Sequence, residues 1–224
     1  MFPVCKELTA PAAEPLTLDK AKKHLVVDSD FTDDDDTIKD LIIAAREYLE
    51  GPDCLNRAIY ERSMACYLDF FPYWHEGTTV NPNDRHCMNG RYWHQAAILL
   101  PFPKVVAVGS VSYVDLNGDT QTVDAARYTA DMESEPARLV PKSDYYWPYA
   151  QNYDPNSITV KYTSGTWGDG VEVDKCPASI RQAMRLLIGH WYNHRDATEY
   201  TVPHEIELGV KALCGRYAFD SFRC

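Results

Sequence analysis

Between Cys176 and Thr198 the apolar residues Ile180, Ala183, Met184, Leu187, Ile188, Trp191 and Tyr192 recur at i, i+3, i+4, i+7, i+8, i+11 and i+12. That spacing lays them on one face of a helix and predicts a long amphipathic scaffold. Pro177 stands where a proline costs the helix nothing, because the N–H it lacks has no intrahelical partner there. Nearer the start, Leu18, Ala21 and Leu25 predict a short helix with Thr17 as its N-cap. Ile38, Leu41, Ile42, Ala45, Tyr48 and Leu49 predict a longer one, ended by Gly51-Pro52. A last short helix is expected around Glu205 to Tyr217, with Ile206, Val210, Leu213 and Tyr217 on one side.

The middle of the chain changes period. Met64, Cys66, Leu68 and Phe70 alternate as one face of a strand, and Ile158, Val160 and Tyr162 do the same. In Val105 to Val114 the apolar set slips from Val106 and Val108 to Val111 and Tyr113, which predicts a bulge at Gly109-Ser110. Asn117-Gly118 then marks a hairpin turn. The order is helices, strands, helices, so the expected fold class is α+β. A bundle of N- and C-terminal helices (16–60 and 176–218) carries an inserted antiparallel β-subdomain (61–175) with a long loop. Residues 1–15, rich in Pro and Ala, are expected to be a flexible arm, and 219–224 a short tail.

The chain has 224 residues, 45% hydrophobic and 25% charged, with 15 Tyr and 5 Trp. Its formal net charge of −11 argues against a sequence-independent grip on a nucleic-acid backbone, which needs clustered Lys and Arg. No apolar run approaches the ~20 residues that span a bilayer, and neither a signal peptide nor a lipid anchor is expected. Seven widely scattered cysteines without a Cys-x-x-Cys fit reduced cytoplasmic thiols.

Tests for chemistry stay silent. Asp28 to Asp36 starts like a calcium loop but lacks the glycine at its sixth position, so Asp33 to Asp36 read as a helix cap. His190 and His194 share a helix face without a Glu beside them, and read as partners of the helix dipole. His75, His86, Cys87 and His94 match no zinc spacing. They lie in a long segment that also holds Tyr73, Trp74, Tyr92 and Trp93, which fit contact with a partner protein. The aromatic run Tyr145 to Tyr149 suits packing or a protein interface better than stacked bases in so acidic a chain. There is no Gly-x-Ser-x-Gly and no Walker A sequence, and Gly165 to Gly170 has no phosphate-binding context. No enzyme, cofactor or metal is expected.

Four stretches in order resemble the head–tail connector (adaptor) proteins of tailed bacteriophages. They are Leu16 to Asp28 (LTLDKAKKHLVVD) with Ile38 to Leu49 (IKDLIIAAREYL), Leu100 to Asp115 (LPFPKVVAVGSVSYVD), Ile158 to Gly165 (ITVKYTSG), and Pro177 to Arg195 (PASIRQAMRLLIGHWYNHR). The resemblance spans residues 16–217; the 73–95 insertion and His204 depart from it. It implies a structural virion protein, assembled in the host cytoplasm, that forms a ring of about a dozen copies. Such a ring sits between the capsid portal and the stopper or tail-terminator protein, and genomic DNA passes through it without sequence-specific binding. The C-terminal helix and tail of that family reach the portal, which points here to Leu213, Tyr217, Phe219 and Phe222, the last two expected as exposed aromatics. Two other readings stay open. One is a carbohydrate-binding module of a phage or bacterial surface assembly, built on the Tyr- and Trp-rich loops. The other is a small metal-dependent enzyme using His190, His194 and the loop histidines.

Overall fold

The apolar face read from 176–198 is the one that the folded chain buries. In the computed structural model, which describes residues 4–72, 97–151, 154–172, 175–194 and 204–219, Ile180, Ala183, Met184, Leu187 and Ile188 all lie in a helical core. Twelve α-helices and β-strands are described. They are β1 (Val4–Thr9), α1 (Leu18–Leu25), α2 (Asp35–Glu50), β2 (Arg62–Leu68), β3 (Ile98–Leu100), β4 (Val105–Val114), β5 (Thr120–Thr122), β6 (Tyr128–Asp131), β7 (Ala137–Pro141), β8 (Ile158–Ser164), α3 (Ala178–Asn193) and α4 (His204–Cys214). They divide between two compact units, one holding the helices and the other all eight strands. The class is α+β, as the change of period predicts.

The helical unit is drawn from 11–61 and 165–220. Ile38, Ile42, Ala45 and Leu49 of α2 pack with the buried face of α3, and Ala21 of α1 and Val210 and Cys214 of α4 join the same core. Thr17 caps α1 by accepting from the Lys20 N–H. The acidic turn is more than a cap. Lys22, almost fully buried, extends its ammonium to the carbonyls of Phe31 (2.6 Å) and Ser29 (3.2 Å) and pairs with the Asp35 carboxylate. Asp34, at the N-cap of α2, makes no capping bond and instead accepts from the Tyr192 hydroxyl of α3. Gly189 faces His24 of α1, whose Nε2 would lie 3.4 Å from an added Cβ.

A buried ionic cluster holds the ends of this unit's segments. Arg46 donates through Nε to Glu14 (2.9 Å) and through Nη1 to Glu50 (2.9 Å). Glu50 in turn accepts the backbone N–H of Ile59 at 2.7 Å. Arg46 and Glu50 are nearly inaccessible to solvent, so each charge depends on the others.

In the strand unit, a five-stranded antiparallel sheet runs in the order β1-β2-β8-β4-β5, and β3-β7-β6 form a second sheet. Met64 faces Tyr162 and Cys66 faces Val160 in the β2–β8 register, so the predicted alternation lines the core. The bulge predicted at Gly109 is present: pairing with β8 shifts between Val108 and Ser110, and again between Val105 and Ala107. Gly118 closes the β4–β5 hairpin at φ +90°, while the Asp115 carboxylate accepts from the N–H groups of Asn117 and Asp119.

Two expected boundaries need correction. Residues 4–9 are not part of a loose arm: β1 pairs with β2 and covers one edge of the larger sheet. As an edge strand it is exposed at five of its six positions, so it carries no alternating apolar signal. The β-subdomain also ends earlier than 175. Thr166 and Trp167 donate to the carbonyls of Ala58 and Ile59, and Glu61 donates to Gly168, so the segment from 165 belongs with the helices.

Gly165 lies against this pairing. A Cβ there would stand 2.5 Å from the Glu61 nitrogen and 2.6 Å from its Cα. Gly165→Ala is therefore expected to cost about 2 kcal/mol in urea denaturation, as overpacking against backbone does. An unchanged midpoint would contradict the close approach.

Candidate interaction sites

The C-terminal residues nominated from the sequence divide by burial. After α4 the chain makes a tight turn, with Gly215 donating to the carbonyl of Lys211 (2.8 Å) and Tyr217 to that of Cys214 (2.8 Å). Leu213 and Tyr217 are half-buried on the helical core, and the Tyr217 ring meets Trp167 edge-on at 5.6 Å. Phe219 is the correction: it is only 8% exposed. Its N–H donates to the Leu55 carbonyl (2.9 Å), its own carbonyl accepts from the Asn56 side chain (3.1 Å), and the Arg57 guanidinium lies over its ring. Apolar burial and two backbone bonds make Phe219 an anchor for the chain end rather than an exposed contact. Asn56 meets it from a left-handed conformation (φ +52°), which Asn tolerates better than most residues. Phe222, Tyr73, Trp74, Tyr92 and Trp93 lie outside the described residues.

The aromatic run 145–149 is split by its neighbours. Trp147 is buried and stacks on Phe71 with centroids 5.1 Å apart, and Tyr145 lies against the Arg127 guanidinium. Tyr146 and Tyr149 face outward, 78% and 76% exposed. Sequence reasoning treated the run as one block and missed Leu116, exposed at the β4–β5 turn, and Leu208, exposed on α4. Leu116, isolated in a polar stretch, gives no local signal of which way it points, and Leu208 lies off the face marked by Val210 and Leu213.

The candidate metal residues do not converge. His190 and His194 stack obliquely, with ring centroids 4.8 Å apart. Among the described residues no three His, Cys, Asp or Glu side chains are grouped to hold a metal ion. His75, His86, Cys87 and His94 are outside them. In the acidic turn, Asp28 accepts from the N–H of Asp30 and the hydroxyl of Ser29, and Lys22 neutralises Asp35. Within the described residues no helix is long and apolar enough to cross a membrane.

No protein-family model matches the chain, and no curated protein matches it. Solved structures do. A chain in the neck of an empty gene transfer agent (GTA) particle, computed with C6 symmetry, superposes with a TM-score of 0.66 over 97% of this chain and 96% of its own, at 21% identity. The chain shares its fold with a chain of a GTA neck. Matches in the native GTA virion (TM-score 0.66, 19% identity) and in the native neck computed with C12 symmetry (0.62, 20%) cover the same shares of both chains. The likeness takes in both units, so the strand insertion between helices is a property of the whole fold.

The anchor role of Phe219 has a direct consequence. Phe219→Ala is expected to destabilise the helical unit by about 3 kcal/mol, the usual cost of emptying a buried aromatic site. A melt unchanged from the parent chain would mean that the ring is not a packing element.

Proposed function

We propose that this chain is a head–tail connector, a structural virion protein that forms a ring between the capsid portal and the stopper or tail-terminator protein. The observation that carries the reading is the end-to-end likeness of fold to chains of a particle neck. The ordered resemblance of four stretches from Leu16 to Arg195 points the same way independently. A ring of about twelve copies is in keeping with the C12 symmetry with which one of those necks was computed. The net charge of −11 suits a lumen that lets DNA pass without holding its phosphates. The role is positional and needs no reaction, cofactor or membrane.

In this reading Leu213, Tyr217 and Phe222 contribute to the surface that meets the portal. Tyr73, Trp74, Tyr92 and Trp93 contact the stopper, the tail terminator or a neighbouring copy. The protein works in the virion after assembly in the host cytoplasm.

Mixing the purified chain with the portal ring from the same genome tests this. Negative-stain images and mass measurement should show a co-assembled particle with a second ring below the portal. Deleting residues 220–224 should abolish that association while leaving the thermal midpoint unchanged, because the deletion stops short of the Phe219 anchor. A chain that stays monomeric beside the portal, or a deletion that binds as well as the parent, would contradict the respective assignments.

A further inference from the structure

The five cysteines among the described residues are free thiols, and four of them face one another in two pairs. Cys5 of β1 stands directly opposite Cys66 of β2 in the antiparallel register. Opposed residues there have Cα atoms about 4.5–5.5 Å apart, inside the roughly 4.4–6.8 Å that a disulfide spans. The two thiols are within hydrogen-bonding reach. Cys54, in the turn after α2, packs on the same helical core as Cys214, the last residue of α4, and the two thiols act on each other there. The backbone beside that second pair is already joined, since Phe219 bonds to Leu55 and Asn56 to Phe219.

We propose that Cys5–Cys66 and Cys54–Cys214 are disulfide-forming pairs that staple the first strand and the last helix of the chain to their own units. Each pair holds one half-buried and one buried cysteine. The half-buried member is the more acidic. The Cys66 thiol lowers Cys5, and the Cys214 thiol, assisted by the Lys211 charge, lowers Cys54. Their buried partners are pushed up by the same contacts and by burial. Cys5 and Cys54, the members that solvent reaches, are the attacking thiolates. With a low-molecular-weight disulfide such as oxidised glutathione, the thiolate of Cys54 attacks one sulfur and expels a glutathione thiolate. Cys214, losing its proton, then attacks the Cys54 sulfur of the mixed disulfide and expels the second glutathione. Two protein thiols are oxidised and one glutathione disulfide is reduced to two thiols. Cys5 and Cys66 follow the same course.

The fifth cysteine supplies the contrast. Cys176 is buried, its thiol pushed up to about 12 by burial, and it donates to the carbonyl of the adjacent Pro177. Among the described residues it acts on Cys214 through charge alone, without a hydrogen bond to it, and should remain reduced. A cytoplasm keeps such pairs as dithiols, whereas a particle released into an oxidising medium lets them close. That timing rests on the proposed virion role; the pairing itself does not.

Purified full-length chain, fully reduced and then exposed to oxidised glutathione, tests the pairing. Non-reducing peptide mapping should find Cys5 joined to Cys66 and Cys54 to Cys214, each linked peptide pair about 2 Da lighter than its two reduced peptides together, with Cys176 free. The thermal midpoint should rise on oxidation and fall back with reductant. Cys5→Ser and Cys54→Ser should each remove one cross-link and leave the other. Persistent glutathione adducts on Cys5 or Cys54, or their linkage to other cysteines, would overturn the proposal, and one pair forming alone would overturn the other. Because the mapping uses the isolated chain, it fails or succeeds separately from association with the portal.

Discussion

The buried guanidinium of Arg46 is the constraint on which the helical unit depends. It sits between Glu14, before α1, and Glu50, at the end of α2, and Glu50 passes the restraint to the Ile59 N–H. Three stretches of chain are thereby held at one point. The segment fixed at Ile59 then pairs with 166–168 and leads into β2 at Arg62. Removing one member of such a cluster leaves an uncompensated buried charge, typically costing about 3–5 kcal/mol. A hydrophobic replacement of the whole cluster can pack as well, but it would not specify which carboxylate meets which N–H. The cluster sets geometry more than it adds net stability.

Much of the fold could be read from periodicity. The faces of α1, α2 and α3, the alternation in β2 and β8, the Gly109 bulge and the Asn117-Gly118 hairpin all follow from local spacing. What escaped was non-local. β1 is recruited by β2 from more than fifty residues away and shows mostly solvent-facing side chains. The 165–168 segment joins the helices through backbone bonds to 58–61, which leave no mark on side-chain pattern. Phe219 looked exposed because five of its neighbours in 218–224 are small, polar or charged, yet the turn at Asn56 provides its pocket.

The interaction residues were legible only in part. Leu213 in α4 and Tyr217 in the turn after it pack on the helical core, as their spacing suggests, but they are shared between packing and surface. The aromatic run was visible as composition, whereas its division into buried Trp147 and exposed Tyr146 and Tyr149 depends on Phe71, far away in sequence. Facing cysteines are similarly invisible in one dimension. Their scattered positions suggested unrelated thiols, and the strand register and the turn after α2 bring them together.

These features describe a strand unit and a helical unit in one chain, the fold shared with a chain of a particle neck. The central claim of the proposed function is one of location. A short peptide tag inserted between Asn117 and Gly118, at an exposed hairpin tip where Gly118 has open space around it, leaves both cores untouched. Gold labelling of that tag on purified particles in electron micrographs is expected to mark the junction of head and tail. Label spread over the capsid, confined to the tail tip or absent from the particles would contradict the account.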